Sequence, residues 1–435
     1  MKQIIVALSL FASTFRMSAD SPLEAPAYGE LKRDNPCAFA VNVKDYGAMG
    51  DWKTDDTQAF QRALNAAGLR GKKDLDNALA APKTLVVVPP GHYRITETLV
   101  LDWRHKRLEI QGVGGVDSFG SHPALKDQRL PYGYCELIWD GMDDGTLLEM
   151  INCSGSILRN IALNGSGKAG TLLSIDSIRK DEYKGTGTSG RLAFFNMAFA
   201  RAKNGIVCGA RSYPNSADMS FYDCNFRNLS GACFKTCSDQ NVDYTFIRPH
   251  MLFSGIGFHC ERGGNLTVTM AAMMSCRIGL KVDNGGWNAG NYHFTGLHME
   301  ANSPKHGYQV AVAGGLINIV FSGLAIQNQR GPREAGFDKP LFDLDNGASV
   351  VVIGGMINNA PIAHLKPTRS AMYSPTFISF YNCRMPVTFT DRQAIVTEGR
   401  SGFSLTNCFV GNKFVERFVE LPDGEKASSP YDLQD

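Results

Sequence analysis

Short segments in which apolar and polar residues alternate recur along most of this chain. The segment MSFYDCNFRN, which begins at Met219, shows the pattern, and nine other segments resemble it. Alternation with a period of two is typical of β-strands that bury one face. The ten segments begin at Ile157, Arg191, Met219, Val242, Leu266, Tyr292, Ile319, Val350, Phe377 and Phe403.

Each segment is usually followed by a second, shorter alternating piece, such as GACFKTC after MSFYDCNFRN. The starts at Met219, Val242 and Leu266 are 23 and 24 residues apart, and Tyr292 follows 26 residues after Leu266. This spacing is typical of stacked solenoid coils, whereas propeller blades need roughly 40 residues or more. Because the alternation also excludes helical repeats, the pattern predicts an all-β solenoid.

A parallel β-helix is the architecture that this pattern favours. One coil cannot bury its apolar face alone, but stacked coils pair every strand with its neighbours and enclose a continuous apolar column. We therefore expect one inward column in each piece of the repeat. The first is predicted to contain Phe221, Tyr244, Val268, Phe294, Phe321 and Val352, and the second Val207, Phe234, Phe258, Leu280, Val310 and Phe342.

The stretch before the repeats predicts a helix, from Asp56 to Ala67, that covers one end of the stack. Its apolar positions fall at helical spacing and Gly68 ends it. Asp55 suits the N-cap position, with Gln58 three residues later completing a box-like pair, so the acidic pair Asp55-Asp56 is explained without catalysis. Since an open end of the stack exposes unpaired strand edges, a capping element is required there.

The sequence VNVKDYGAMGDWKTDDTQAFQRALNAA, followed by LVVVPPGHYRITETLVL, resembles the opening of the pectate-lyase-like right-handed parallel β-helix superfamily. That superfamily shows the pattern DYGAxGDGxTDDTxAxQxA and then a PPGxY turn. The match covers Val41 to Leu101, with Trp52 where glycine is usual. The resemblance implies a single-stranded right-handed β-helix with an N-terminal capping α-helix, and it assigns the motif to the cap instead of a catalytic site.

The same resemblance implies a protein that handles carbohydrate. The superfamily includes lyases, hydrolases, epimerases, fructotransferases and phage tailspikes, so the fold alone does not choose between these functions. We expect an enzyme that cleaves a polysaccharide, most simply an acidic one, by β-elimination or by glycoside hydrolysis. The alternative is a non-catalytic glycan-binding or structural β-helix, such as a tailspike or a surface adhesin, and the protein is expected to be a monomer or a homotrimer.

Domain boundaries follow from the repeat. Residues 1–36 are predicted to be a signal-like leader and linker, 37–156 the cap and first coils, 157–420 the coils with the candidate site, and 421–435 a tail. The start MKQIIVALSLFASTF has one lysine and a short apolar run, which is typical of a secretory signal and too short to anchor in a bilayer. This predicts a secreted or periplasmic protein, and a start at Met17 would instead favour a phage virion protein.

Composition and charge limit the classes of binding partner and cofactor that we expect. Apolar residues make up 43% of the 435 residues and the net charge is +2, so no strong field attracts nucleic acid or an anionic membrane. The 11 cysteines include no CxxC pair, which favours buried thiols over a disulfide framework or a metal site. The sequence predicts no cofactor and no metal ligands, with a bound calcium ion left open.

Aligned coils bring ionisable residues together in two sets. The first set lies on the first piece of the repeat, in two neighbouring outward columns. One column is expected to contain Asn225, Arg248, Ala272, His298 and Ala325. The other is expected to contain Arg227, His250, Met274, Glu300 and Gln327. In a lyase, His250 or His298 would be the base and Arg248 would neutralise a uronate carboxylate, with Glu300 as orienting group and Arg227 as a substrate contact.

The second set lies on the second piece. One expected column contains Lys235, His259 and Lys281, and its neighbour contains Cys237, Glu261 and Asp283. Glu261 and Asp283 would lie about 5 Å apart, close to the carboxylate separation of retaining glycosidases. In a hydrolase these two are the catalytic pair and the basic residues bind substrate, while Trp287 and Tyr292 would stack on sugar rings. Both sets are also compatible with ordinary solvated surface charges, and this interpretation suits the second set better than the first.

Overall fold

The molecule is a stack of coils, each of which contributes three short strands that we call, in chain order, the a, b and c strands. The a and b strands form one sheet of 26 strands together with a C-terminal hairpin, and the c strands form a second sheet of 11. The chain is therefore an all-β parallel β-helix, as predicted. The computed structural model describes residues 40–68, 85–114, 116, 134–178, 188–211, 216–283, 290–301, 309–313, 317–328, 340–357, 362–367, 375–385 and 395–420.

The strands of each class stack on one another in parallel along the whole molecule. The a strands are Ala40–Asn42, Leu85–Val88, Glu109–Gly112, Ile157–Arg159, Ala193–Phe195, Met219–Tyr222, Tyr244–Ile247, Leu266–Thr269, Gly290–Thr295, Ile317–Ser322, Ser349–Ile353 and Thr376–Tyr381. The b strands are Asp51–Asp55, Gly91–Ile95, Cys135–Trp139, Ala162–Asn164, Ala198–Ala200, Asn225–Arg227, His250–Leu252, Ala272–Met274, His298–Ala301, Ala325–Asn328, Met356–Ile357 and Arg384–Met385.

The c strands form their own sheet, and two further pairings complete the molecule. The c strands are Leu99–Leu101, Thr146–Ile151, Thr171–Asp176, Asn204–Cys208, Ala232–Cys237, Ile256–Arg262, Ile278–Val282, Val310–Ala313, Phe342–Asp345, Ala363–Leu365 and Ile395–Thr397. Ser401–Val410 continues both the a and b stacks and then pairs in antiparallel fashion with Lys413–Glu420. Ser189–Gly190 and Ser216–Ala217 form a separate two-stranded ribbon.

The core is built from aligned apolar columns, as the alternation predicts. Phe234, Phe258 and Leu280 lie in register in one inward column of the c strands. In the a strands, the ring of Phe221 stacks on Phe194 at 4.8 Å and on Phe246 at 4.4 Å between centroids. Because similar residues meet in successive coils, large rings stack closely on one another in the interior.

Two members of the predicted columns are misplaced. Phe246, and not Tyr244, lies between Phe221 and Val268. Tyr244 is fully buried two positions earlier, in the inward column of Met219 and Leu266. In the c strands Ile206, and not Val207, pairs with Phe234. The first error is a slip of two residues in the coil that begins at Val242, and it also moves the outward residues of that coil.

A bend between the a and b strands explains why the alternation pattern did not reveal this two-residue slip. Each first piece was expected to be one strand, but the chain turns through one residue in the left-handed conformation, such as Asn160 with φ 58°, Asn196 with φ 48° and Asp223 with φ 53°. Asn, Asp and Gly tolerate this conformation better than other residues. Asn, Asp or Gly at this position marks the register in most coils, but Arg248 holds it in the coil that slipped and Met270 in the next.

The N-terminal helix spans Thr57–Ala67 and packs its apolar face on the first coils, with Phe60 edge-on to Tyr93 at 4.9 Å. The N-cap is Asp56 and not the predicted Asp55, which lies one residue earlier and accepts hydrogen bonds from the backbone and hydroxyl of Thr57. Asp56 is buried and accepts from the backbone N–H groups of Met49 and Gly50. The expected box with Gln58 is wrong, because the Gln58 amide donates to Glu97 instead. The acidic pair is thus structural.

Short 3-10 helices span Val43–Tyr46 and Trp103–His105. Nine of the ten cysteines in the part of the chain that the structure describes are buried, which confirms the expected buried thiols. No helix among the described residues is long and apolar enough to cross a bilayer. The predicted leader and tail lie outside the described residues.

Candidate functional site

The b strands carry the first predicted set, but in a different register. His250 and His298 share one outward column and Ala272 lies between them, so they are two strand spacings, roughly 10 Å, apart. The neighbouring column reads Arg227, Leu252, Met274 and Glu300. Placing His250 in that second column was wrong, because the coil pairs two residues later than predicted.

Arg248 is not a member of either column. It lies at the bend between a and b strands, with φ 52°, and its guanidinium donates two hydrogen bonds to Asp223 of the preceding coil, at 2.6 and 2.7 Å. Both side chains are about half exposed. The expected role of Arg248 beside His298 therefore rests on a wrong alignment.

Apart from the exposed His250, the other b-strand residues of the first set are partly or fully buried. Glu300 is 7% exposed, and the buried Nε2 of His298 has no hydrogen-bond partner among the residues that the structure describes. The Arg227 guanidinium lies 5.4 Å from the ring centroid of Phe253. Neither His250 nor His298 is oriented by a carboxylate within the described ranges, so this surface lacks a held proton-transfer group.

The outward side of the c strands is rich in charged residues, and we call it the c face. Its predicted central column is confirmed, because Lys235 pairs in register with His259 and His259 with Lys281. Consecutive members are one strand spacing, about 4.8 Å, apart. The c face consists of Glu149, Asp176, Lys235, His259, Glu261, Lys281, Asp283, Asp343, His364, Lys366 and Glu398.

Hydrogen bonds fix the centre of the c face. His259 Nε2 lies 2.8 Å from Asp283 Oδ2, and Lys281 Nζ donates to the same oxygen. Lys235 Nζ lies 3.0 Å from Glu261. The His259 side chain is 11% exposed, so the carboxylate holds a mostly buried ring in one orientation. With Nε2–H donated to Asp283, the lone pair of Nδ1 is the free basic position of this imidazole.

Both central carboxylates are stabilised in the ionised form. Burial alone raises the pKa of Asp283, but hydrogen bonds from His259 and Lys281 outweigh it and leave the pKa below its ordinary value. Burial likewise raises the pKa of Glu261, and the hydrogen bond and charge of Lys235 reverse the effect. Both groups are therefore ionised at neutral pH, whereas a general acid must carry a proton.

The predicted column of Cys237, Glu261 and Asp283 is wrong at its first step. A bulge after Thr236 pairs Cys237 with Arg262, which displaces Glu261 from the register. Lys235 neutralises Glu261 and Lys281 neutralises Asp283, so the two carboxylates are not an isolated pair. A bulge adds one residue to one strand, and the alternation pattern carries no mark of it.

Both flanks of the c face hold further ion pairs that the sequence did not single out. On one side Arg211 bridges Glu149 and the fully buried Asp176. On the other side the pairs are Asp343 with Lys366 at 2.8 Å and His364 with Glu398 at 2.7 Å. The alternation in TLLEMI and TLLSID already put Glu149 and Asp176 outside, so this signal was available. Among the described residues, no group of three or more His, Cys, Asp or Glu could hold a metal ion.

The two predicted aromatic contacts have different outcomes. Tyr292 is fully buried and its hydroxyl donates to the Gly263 carbonyl at 3.1 Å, so the expected surface ring is wrong. Burial raises the pKa of Tyr292 well above its ordinary value. Trp287 lies outside the described residues.

Comparisons with known proteins agree with this architecture. The family model described as rhamnogalacturonase A/epimerase, pectate lyase-like, matches residues 40–117. A glucan 1,3-beta-glucosidase of Cochliobolus carbonum is 42% identical over 59 residues, which cover 14% of this chain and 7% of that protein. A probable glucan endo-1,3-beta-glucosidase of Arthroderma benhamiae is 24% identical over 263 residues, which cover 54% of this chain and 28% of that protein. The chain thus spans less than a third of either relative.

A solved structure extends the similarity to nearly the whole chain. ORF18 of Geobacillus virus E2 superposes with a TM-score of 0.51 and 13% identity, covering 90% of this chain and 64% of that protein. At this identity the likeness concerns the fold alone. The opening motif lies inside the residues that the family model matches, and over the rest of the chain the likeness is that of a parallel β-helix fold.

Proposed function

We propose that this protein cleaves an acidic polysaccharide at the centre of the c face, with His259 as the base. One observation carries the proposal: a histidine held by Asp283 at 2.8 Å lies between Lys235 and Lys281 in a single outward column. An oriented imidazole with basic neighbours suits the removal of a proton beside a carboxylate.

The chemistry is a β-elimination. A lysine ammonium beside the uronate carboxylate stabilises the negative charge that develops when the adjacent carbon loses its proton. His259 Nδ1 takes that proton, and Asp283 stabilises the imidazolium. The electron pair of the broken C–H bond forms a ring double bond, the bond to the glycosidic oxygen breaks, and the leaving oxygen takes a proton from solvent.

Glycoside hydrolysis is the second candidate, and the two glucan-glucosidase relatives favour it. In this version Glu261 and Asp283 would be the carboxylate pair. The lowered pKa of each speaks against it, because hydrolysis needs one carboxyl group that carries a proton.

Product analysis separates the candidates. The protein is incubated with polygalacturonate, alginate and a neutral β-1,3-glucan. Elimination creates an unsaturated uronate that absorbs in the ultraviolet, whereas hydrolysis creates reducing ends without that absorbance. We expect the ultraviolet signal with an acidic polymer and its loss in His259→Ala. If reducing ends appear without absorbance, hydrolysis replaces elimination, and if no glycan gives either signal, the protein is a non-catalytic solenoid.

Location and assembly are part of the same proposal. A polysaccharide-cleaving β-helix acts where its polymer is, so we propose a secreted or periplasmic protein, with a phage virion protein as the alternative. Intact-mass measurement of the mature protein tests whether the first 16 to 19 residues are removed. Light scattering distinguishes the two expected states, a monomer and a homotrimer.

A further inference from the structure

An open groove runs over the bends between the b and c strands, beside the c face. One part has a volume of about 700 Å³ and passes over Phe253, Ser275 and Arg277. A second part of about 410 Å³ passes over Asp144, Arg201 and Lys203. The two parts share Asn228 and Ser230, so they form one groove across successive coils. We call it the corner groove.

The corner groove is rich in unneutralised positive charge. Arg201, Lys203 and Arg277 line it, and Asp144 is the one acidic residue among its lining residues. None of the three cations forms an ion pair with another residue in the described part of the chain. On the c face, by contrast, each lysine is matched by a carboxylate. An anionic ligand would therefore find free partners in the groove.

Phe253 gives the groove an aromatic surface. Its backbone is left-handed, with φ 50°, and its side chain is 50% exposed. The same bend position holds Asn228 in the preceding coil and Ser275 in the next, which are small and polar. A bulky ring is disfavoured in this conformation and gains little burial here, which is typical of a residue kept for contact with a ligand. Arg227 lies against the ring and adds a further cation.

A polysaccharide bound at the c face can also reach the corner groove. Gly255 lies in the groove and precedes His259 by four residues, which along a strand is about 13 Å. A polymer longer than this can occupy both places at once. Binding at two places raises the effective concentration of the chain at the second one.

We propose that the corner groove is a second binding site for acidic polysaccharide, in which Phe253 stacks on a sugar ring and Arg277, Arg201 and Lys203 pair with carboxylate or sulfate groups. It holds the polymer beside the c face without cleaving it. That the ligand is a polysaccharide rests on the proposed function, but the binding can be measured without turnover.

Affinity electrophoresis in gels that contain alginate or polygalacturonate tests the site. His259→Ala serves as the parent so that no polymer is cut, and Phe253→Asn and Arg277→Gln are added to it. Asn228 occupies the Phe253 position one coil earlier, so the asparagine suits the bend. When both groove substitutions are added to the parent, we expect the apparent dissociation constant for the polymer to rise at least tenfold. Polymer binding by the parent should weaken as the salt concentration rises.

Two matched controls lie outside the groove. Met270→Asn replaces another exposed apolar residue in a left-handed bend, and Arg384→Gln removes another exposed cation. Both should migrate like the parent. The proposal is overturned if the groove variants also migrate like the parent, or if a neutral β-1,3-glucan retards the parent equally. Absence of cleavage by the unmodified protein would instead count against the proposed function and leave the retardation result standing.

Discussion

Arg248 lies directly opposite Asp223 in the preceding coil and donates two hydrogen bonds to its carboxylate. Both residues occupy the left-handed bend between an a strand and a b strand. The pair therefore joins two bends, and it shows that residues 25 positions apart in this part of the chain become neighbours. An alignment that is wrong by two residues breaks such a pair and creates false ones.

Because Arg248 is committed to this bend, we expect Arg248→Ala to leave turnover on any polysaccharide substrate unchanged. The pair is half exposed, so its loss should also change the melting temperature only slightly. Steady-state kinetics and thermal denaturation check both points. A loss of turnover with an unchanged melting temperature would return Arg248 to the catalytic site.

The buried aromatic column predicts which substitutions should destabilise the fold most. Phe246 is fully buried and contacts Phe221 at 4.4 Å and both Phe234 and Phe258 at 4.9 Å. Phe246→Ala should lower the free energy of unfolding by about 3–5 kcal/mol, measured by urea denaturation. Met270→Ala, at an exposed bend, should change it by no more than about 0.5 kcal/mol. Equal effects would mean that the coils do not stack as described.

Much of this architecture could be predicted because burial imposes a simple rule on each strand. Alternation with a period of two puts Phe234, Phe258 and Leu280 inside and Lys235, His259 and Lys281 outside, and the structure confirms both columns. The same rule also puts Tyr292 inside, since it lies two residues before the buried Phe294. The expectation of a surface ring ignored that signal.

The site itself depends on features that alternation does not record. The ion pair of Lys235 with Glu261 follows a bulge at Cys237, and the contact of His259 with Asp283 joins residues of neighbouring coils. Both require the register to be right to the residue, whereas an apolar pattern tolerates a shift of two. The corner groove arises from bends at which the sequence pattern is weakest.

The charge of Asp283 gives a pH-dependent stability. Burial raises its pKa, but hydrogen bonds from His259 and Lys281 bring the folded pKa below the ordinary value of 3.8. The contribution of Asp283 to stability is therefore complete above that ordinary value and is lost as the pH falls through the folded pKa. The melting temperature of the unmodified protein should exceed that of Asp283→Asn near neutral pH, and the difference should shrink below pH 3.8. A difference that is constant with pH would mean that the carboxylate carries no linked charge.

The active site lies either on the outward side of the b strands or on the c face, and the histidine that transfers the proton decides between them. His259 is oriented by Asp283, whereas the described contacts of His250 and His298 include no carboxylate. Loss of a positioned base typically lowers the rate by about 10²–10⁴-fold, so His259→Ala should lower kcat by that factor. His364→Ala is the matched control, because His364 also lies on the c face and pairs with Glu398. If His250→Ala or His298→Ala abolishes turnover while His259→Ala retains it, the active site belongs to the b strands and the c face is a structural ladder of ion pairs.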